Sequence, residues 1–306
     1  MTQLFSTSLT ENFHDGEKSM TSTHAFDPQA FKEATLNQWE KAAQGWNDHT
    51  PQIRKWLASA TEAMLSMAGV KRGSRVLDVA AGAGDQTLDI AERVGPQGFV
   101  LATDLSPAIL RFAHANARRA GYVNVETQVA DGERLEVEEA SFDAAVCRLG
   151  LMFFPDPLQG LREMYRALKT DSGICTMVFS TPQANPCIRI LMSTALEHAG
   201  VPPRDPYQPG GLMSLGKPGL IDELFKAAGF KDVATTRMAA PFKLPRARDY
   251  LDFIQTSASP IQMILDKLDV ARREAAWAAM EERLKVFETA AGWEGTNEFL
   301  LTAARR

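Results

Sequence analysis

Cysteine is scarce: the 306 residues include only Cys147, Cys175 and Cys187. The count is odd and the spacings are wide, so neither a disulfide framework nor a thiolate zinc site is implied, and no metal is expected. Cys147 and Cys175 fall in apolar runs, where a thiol acts as a small buried hydrophobe, and a reducing cytoplasm fits. An excess of positive charge is also missing. The 33 Lys+Arg against 38 Asp+Glu leave a net charge of −5, which argues against a dedicated nucleic-acid binder. Long apolar runs are absent. Ala144 to Val146 and Ile174 to Phe179 are far too short to span a bilayer, so no stable membrane insertion is expected. Residues 1–25 have no apolar core for a signal peptide and too many acids for a transit peptide. They read as a mobile tail, with Met20 as a second candidate start. Internal repeats and low-complexity stretches are missing as well.

What is present describes an ordinary globular chain, 45% apolar and 23% charged. Its length suggests about two domains, or one domain with a large insertion. Ile53, Trp56, Leu57, Ala60, Met64, Leu65 and Ala68 recur at helical spacing, which predicts an amphipathic helix over 52–68. Short β-rich runs then follow at Arg75 to Val79, Gly98 to Thr103, Val123 to Val129, Phe142 to Cys147 and Ile174 to Phe179. Helical segments separate them. Ser106-Pro107 reads as a cap with proline at the first helical position. Leu158, Leu161, Tyr165 and Leu168 mark another helical stripe, and Gly173 reads as a break before the fifth strand. Such alternation predicts an α/β fold with a mostly parallel sheet and helices on both faces. Beyond residue 181 proline and glycine accumulate. A helix is predicted over 219–228, a sixth strand over Asp232 to Met238, one long helical region over about 246–290 and a closing strand over Asn297 to Thr302. The organisation expected is therefore a tail (1–25), N-terminal helices covering a ligand site (26–70), a binding core (71–181) and a lid or substrate region with the last strands (182–306).

In an open parallel sheet the ligand sits beyond the carboxyl ends of the strands. The first strand ends in Asp78-Val79-Ala80-Ala81-Gly82-Ala83-Gly84-Asp85. Its glycines allow a tight turn and a close backbone approach, and the next helix presents free N–H groups. Asp104 closes the second strand, where a carboxylate can accept both hydroxyls of a ribose. Asp131-Gly132 follows the third strand and Arg148 ends the fourth. Polar groups at four successive strand ends point to an adenosine-type ligand. A dinucleotide loop wants a third glycine, and Thr87 stands in its place, while Asp78 and Asp85 would repel a pyrophosphate. Those carboxylates suit a ligand bearing an ammonium and a sulfonium, namely S-adenosylmethionine.

As a set, these motifs resemble the class I S-adenosylmethionine-dependent methyltransferases. The likeness is strongest to the ubiquinone/menaquinone-biosynthesis C-methyltransferases and the small-molecule enzymes around them. Leu77 to Asp85, Ala102 to Ser106, Ala130-Asp131-Gly132, Ser141 to Ala144 and Leu161 to Lys169 carry the resemblance. It implies a Rossmann-like, doubly wound, seven-stranded sheet with a helical lid in the C-terminal half, and S-adenosylhomocysteine as product. It further implies that Ala80, Gly82 and Gly84 meet the methionine part, and that Asp78 holds the amino group through water. Asp104 would take the ribose hydroxyls and Leu105 the adenine face. Asp131 would read the adenine amino group, with Gly132 beside it and Arg148 nearby. Trp46 stands where relatives carry an aromatic residue that closes over the cofactor.

Methyl transfer from a sulfonium is an in-line displacement that alignment alone can largely drive. A base is needed only where the acceptor must lose a proton. Among the histidines, His49 is the candidate, three residues after Trp46. Met152, Phe153 and Phe154, after the fourth strand, are candidates for an apolar acceptor pocket. Two other readings remain open at this stage, an NAD-dependent oxidoreductase and a non-catalytic S-adenosylmethionine-binding module. The charged stretch Ala271 to Glu288 could serve a homodimer or be a solvated helix face. The expected partner is a small apolar or aromatic molecule.

Overall fold

A computed structural model describes residues 26–257 and 260–306 of the chain. The tail expected at 1–25 lies outside the described residues. Two helices open the fold, α1 (Pro28–Asp48) and α2 (Thr50–Met67). Then β1 (Arg75–Val79), α3 (Asp85–Val94), β2 (Phe99–Asp104), α4 (Pro107–Arg119), β3 (Val125–Val129), β4 (Phe142–Arg148), α5 (Pro157–Ala167) and β5 (Leu168–Phe179) alternate as the sequence predicts. The C-terminal part comprises α6 (Pro186–His198), α7 (Leu220–Ala227), β6 (Lys231–Ala239), β7 (Phe242–Leu244), α8 (Ala247–Thr256), α9 (Pro260–Leu265), α10 (Val270–Leu284), β8 (Glu288–Thr289), β9 (Gly292–Gly295) and β10 (Glu298–Arg305).

Seven strands form one sheet in the order β3-β2-β1-β4-β5-β10-β6. The pairs β1–β2, β1–β4, β2–β3 and β4–β5 are parallel, and β10 runs antiparallel between β5 and β6. The expected Rossmann-like sheet is therefore present, with the last strand of the chain inside it rather than at an edge. Because Val79 pairs with Thr103 and Cys147, and Asp104 with Val129, the carboxyl ends of β1 to β4 are level. That level edge is what gathers four distant sequence positions at one place.

The central strands are covered on both faces, so Val76, Leu77, Val100, Ala144, Ala145 and Val146 are all fully buried. The stripe read over 52–68 is the inner face of α2, where Ile53, Leu57, Ala60, Met64 and Leu65 are buried. On α2, Trp56 stacks on Phe242 at 4.5 Å and donates from Nε1 to the Ala240 carbonyl at 2.8 Å. One N-terminal side chain thus ties the core to the C-terminal region. Cys147, Cys175 and Cys187 are buried and unpaired.

Several expectations need correction. The region 246–290 is three helices, because Pro260 starts α9 and Asp269 caps a separate α10 through the Arg272 amide at 2.9 Å. Between them and β10 lies a second, three-stranded sheet, β7-β9-β8, too short to show period-two patterning. Gly173 does not precede β5 but lies within it; a Cβ there would sit 2.3 Å from the Ala68 carbonyl oxygen, so the glycine admits α2's end against the strand. In the stretch Ala271 to Glu288, Ala276, Met280 and Leu284 are buried, and α10 packs on α6 and α8. Among the described residues, no helix is long and apolar enough to cross a membrane, and no group of three or more His, Cys, Asp or Glu could hold a metal ion.

Candidate active site

A cleft opens at the level carboxyl edge of β1 to β4, roofed by α1. Its lining includes Trp46, Ala80, Gly82, Asp104, Leu105, Asp131, Gly132, Arg148 and Phe153. The strand ends and the N-terminal aromatic are thus brought together. Asp78, Gly84, Met152 and His49 do not line it.

The floor is the loop after β1. Ala80 adopts φ 56°, a left-handed conformation costly for a residue with a side chain, and Gly82 adopts φ 60°. A Cβ on Gly82 would lie 3.4 Å from the Trp46 indole nitrogen, so the glycine keeps the backbone open beneath that ring. Gly84 has a packing role instead. A Cβ there would fall 2.9 Å from Ala113, so its absence lets α4 approach the loop. Across the cleft, Leu149 is also left-handed, at φ 59°. Its neighbour Gly150 admits Ala80, whose Cβ would be only 2.3 Å from a side chain at that position.

Asp104 is the best-defined acid. Oδ2 accepts the Gly82 amide at 3.0 Å and Oδ1 accepts the Ser106 amide at 3.0 Å. Each oxygen keeps further acceptor capacity toward the cleft. Burial pushes its carboxyl above the ordinary aspartate value, opposed by hydrogen bonds from Ser106, Gly82 and Leu105. Asp131 stands beyond β3. Its Oδ1 accepts the Glu133 amide at 3.0 Å, and its Oδ2 meets Lys32 Nζ at 2.6 Å. Gly132 makes room for the Phe154 ring, which a Cβ would approach to 2.2 Å; Gly160 does the same, at 2.5 Å.

The two carboxylates flanking the loop behave differently from the expectation. Asp78 is fully buried beneath the loop, where Oδ2 accepts the Thr87 hydroxyl at 2.6 Å and Oδ1 accepts the Gln86 amide. Burial raises its carboxyl to about 7, against the hydrogen bonds of Thr87 and Gln86 and the Arg148 charge. It therefore anchors the first turn of α3. Asp85 is in direct contact with the Arg148 guanidinium, and Arg148 also donates to Thr61 Oγ1 at 2.8 Å. These acids do not form an open negative pair: one is sequestered and the other neutralised.

His49 caps the end of α1 outside the cleft. Its Nε2 is 2.7 Å from Thr256 Oγ1, its Nδ1 3.0 Å from Gln52 Oε1, and its ring meets Phe253 edge-on at 5.1 Å. Met152 is buried, and its carbonyl accepts the Ser214 hydroxyl at 2.8 Å. Of the three candidates after the fourth strand, Phe153 and Phe154 line the cleft and Met152 does not; sequence reading missed Lys32, Thr35, Trp39, Glu133 and Leu149, all of which line it. Trp39 was findable: it lies seven residues before Trp46, two helical turns away on one face, and the rings meet edge to face at 5.3 Å. Trp39 also contacts Phe153, at 6.2 Å.

Residues 51–195 match the model of the ubiE/COQ5 methyltransferase family. The ubiquinone/menaquinone biosynthesis C-methyltransferase UbiE of Pasteurella multocida is 34% identical over 127 residues, 41% of this chain and 47% of that protein. The chain thus spans about half the length of the curated relatives it matches. Among solved structures, the YcgJ protein of Bacillus subtilis superposes with a TM-score of 0.55 at 17% identity, over 81% of this chain and 98% of that one. Phosphoethanolamine N-methyltransferase 2 of Haemonchus contortus, solved with phosphomonomethylethanolamine and S-adenosylhomocysteine, gives 0.54 at 19% identity, over 85% and 58%. At such identities the structural likeness speaks for the fold. The resemblance read from the strand-end motifs is thereby borne out: over residues 51–195 the chain is similar to the ubiE/COQ5 methyltransferase family, on a Rossmann-like methyltransferase fold.

Proposed function

We propose that the protein is an S-adenosylmethionine-dependent methyltransferase acting on a small apolar or aromatic molecule. The observation that carries this reading is Asp104, set at the end of β2 with one backbone amide on each oxygen and acceptor capacity left toward the cleft. A carboxylate so fixed suits the paired hydroxyls of a ribose. The rest of the cleft fits the same ligand. Gly82 leaves backbone open beneath Trp46 for the methionine part, Leu105 offers an apolar face to adenine, and Asp131 an acceptor to its amino group.

The pyrophosphate of a dinucleotide fits poorly. A dinucleotide loop wants a third glycine at the start of α3, and Thr87 stands there, its hydroxyl donated to Asp78 Oδ2 at 2.6 Å. This observation weighs against the oxidoreductase reading.

Bound S-adenosylmethionine would supply an activated methyl for in-line displacement. The chain's part is then to align, to exclude water and to bind the acceptor. Trp39, Trp46, Phe153 and Phe154 make the cleft walls largely aromatic, which suits a flat apolar acceptor. The charged groups that line it, Lys32, Asp104, Asp131, Glu133 and Arg148, all hold partners within the protein. With none of them free as a base, positioning is the expected source of rate. The helices of 26–70 serve as the cover, and none of the residues that line the cleft comes from the region 182–306 expected to bind the acceptor.

The test is incubation of the purified protein with methyl-labelled S-adenosylmethionine and a solvent extract of the source cells. Label entering an extractable small molecule supports the reading. Binding without transfer to any fraction favours the non-catalytic module. In parallel, Asp104→Ala is expected to weaken S-adenosylhomocysteine binding at least about tenfold, since it removes charge-assisted hydrogen bonds. Unchanged affinity by calorimetry would refute the ribose assignment.

A further inference from the structure

Helix α1 roofs the cleft, yet Ala42 and Ala43 are its only buried residues. Its apolar footing is a small cluster with Ala83, Ala108 and Ile109, against which the partly buried Trp39 and Trp46 rings pack, Trp46 reaching the main core as well. With so few fully buried side chains on a 21-residue helix, polar ties share in holding it. Glu40 Oε1 accepts the Ser106 hydroxyl at 2.5 Å and the Ala108 amide at 2.9 Å, and Asn47 Oδ1 accepts the Asn116 amide at 2.9 Å. Both fasten the later half of α1 to α4. The earlier half is fastened across the cleft by Lys32, whose Nζ lies 2.6 Å from Asp131 Oδ2 and 2.7 Å from Glu133 Oε2.

The two acids form a preset socket. Asp131 Oδ1 accepts the Glu133 amide at 3.0 Å, and Glu133 Oε1 accepts the Asp156 amide at 2.7 Å. Each carboxylate is thus held by backbone through one oxygen and turns the other to the ammonium. The side chains are only partly exposed, 22% for Lys32, 29% for Asp131 and 13% for Glu133. An ion pair in such a place is screened less than one at the open surface.

We propose that Lys32 is a positioning residue of the ligand site: by tying α1 across Asp131 and Glu133 it sets how tightly and how long an S-adenosyl ligand is held. The inference rests on the cofactor reading above. Lys32 acts on Asp131 and on the roof, so its effect falls on ligand capture and release.

The experiment is titration of S-adenosylhomocysteine by calorimetry, with dissociation followed by stopped-flow fluorescence of Trp39 and Trp46. Lys32→Met keeps the length and the apolar stem. It is expected to raise both Kd and the dissociation rate about fivefold, the factor a partly buried ion pair supplies. Lys32→Arg should recover most of the loss. Wild-type affinity should weaken with added salt, and that dependence should be reduced in Lys32→Met. Glu133→Gln should have an intermediate effect that disappears in the Lys32→Met background. If the wild type binds and Lys32→Met binds equally or more tightly with the same dissociation rate, the positioning role is wrong. If the wild type does not bind, the failure lies with the cofactor reading instead.

Discussion

Arg148 and Asp85 meet in the interior with side-chain exposures of 3% and 2%, and their separation in sequence is 63 residues. Replacing Arg148 by leucine keeps the apolar stem and deletes the charge. Asp85 would then be a buried carboxylate with no cation, and Thr61 Oγ1 would lose its donor. Breaking a buried pair from one side costs about 3–5 kcal/mol. At roughly 2–4 °C per kcal/mol for larger domains, the melting temperature should fall on the order of 10 °C. Asp85→Asn in the same background removes the orphaned charge, so the double variant should regain most of the loss. Denaturant unfolding of the four variants of the cycle is the assay. A loss below about 1 kcal/mol, or a double variant no better than Arg148→Leu, would refute the reasoning; it would mean that the N-terminal dipole of α3 compensates Asp85 by itself.

Two other outcomes are expected. The Asp78 carboxyl is raised from 3.8 to about 7, chiefly by burial, so between those values the folded state binds the proton that the unfolded state releases, and stability falls as pH rises through that window. Asp78→Asn should flatten the slope, worth at most about 4 kcal/mol, in urea unfolding at pH 5 and pH 8; an unaltered slope would place the titration elsewhere. His49 stands outside the cleft and joins α1 to α8 through Thr256, so His49→Ala should leave methyl transfer within about twofold while lowering the melting temperature a few degrees. A hundredfold loss of transfer in the folded variant would restore His49 as a base.

The legible part of the fold was the part built by repetition. Short β-branched runs alternating with helical stripes specify a parallel sheet, and the level strand ends then follow from pairing register. Asp104, Asp131 and Arg148 could be assigned to one edge for that reason. The C-terminal region was less legible because its strands are two to four residues long in the small sheet, and because β10 enters the main sheet between β5 and β6 from the far end of the chain. What the sequence could not express was the direction of side chains within the site. Asp78 and Asp85 flank the same loop, yet one faces Thr87 and Gln86 under the sheet edge and the other faces Arg148. Lys32 carried no local signal at all, since its partners are 99 and 101 residues away.

The displacement of Asp78 from the cleft changes the electrostatic argument without overturning it. Around the cleft, Lys32 and Arg148 stand against Asp85, Asp104, Asp131 and Glu133, which leaves an excess of two negative charges. The excess does not sit on the glycine loop. Asp85 is cancelled by Arg148, and Lys32 offsets only one of its two acids, so the surplus lies at Asp104 and at the Asp131–Glu133 socket. A ligand with a net positive charge is favoured by such a field, and one that loses that charge on reaction is favoured less. Transfer of a methyl group from a sulfonium removes one positive charge from the bound molecule. Under the proposed function, Asp104 and the Asp131–Glu133 socket would therefore help both to gather the cationic cofactor and to release its neutral product.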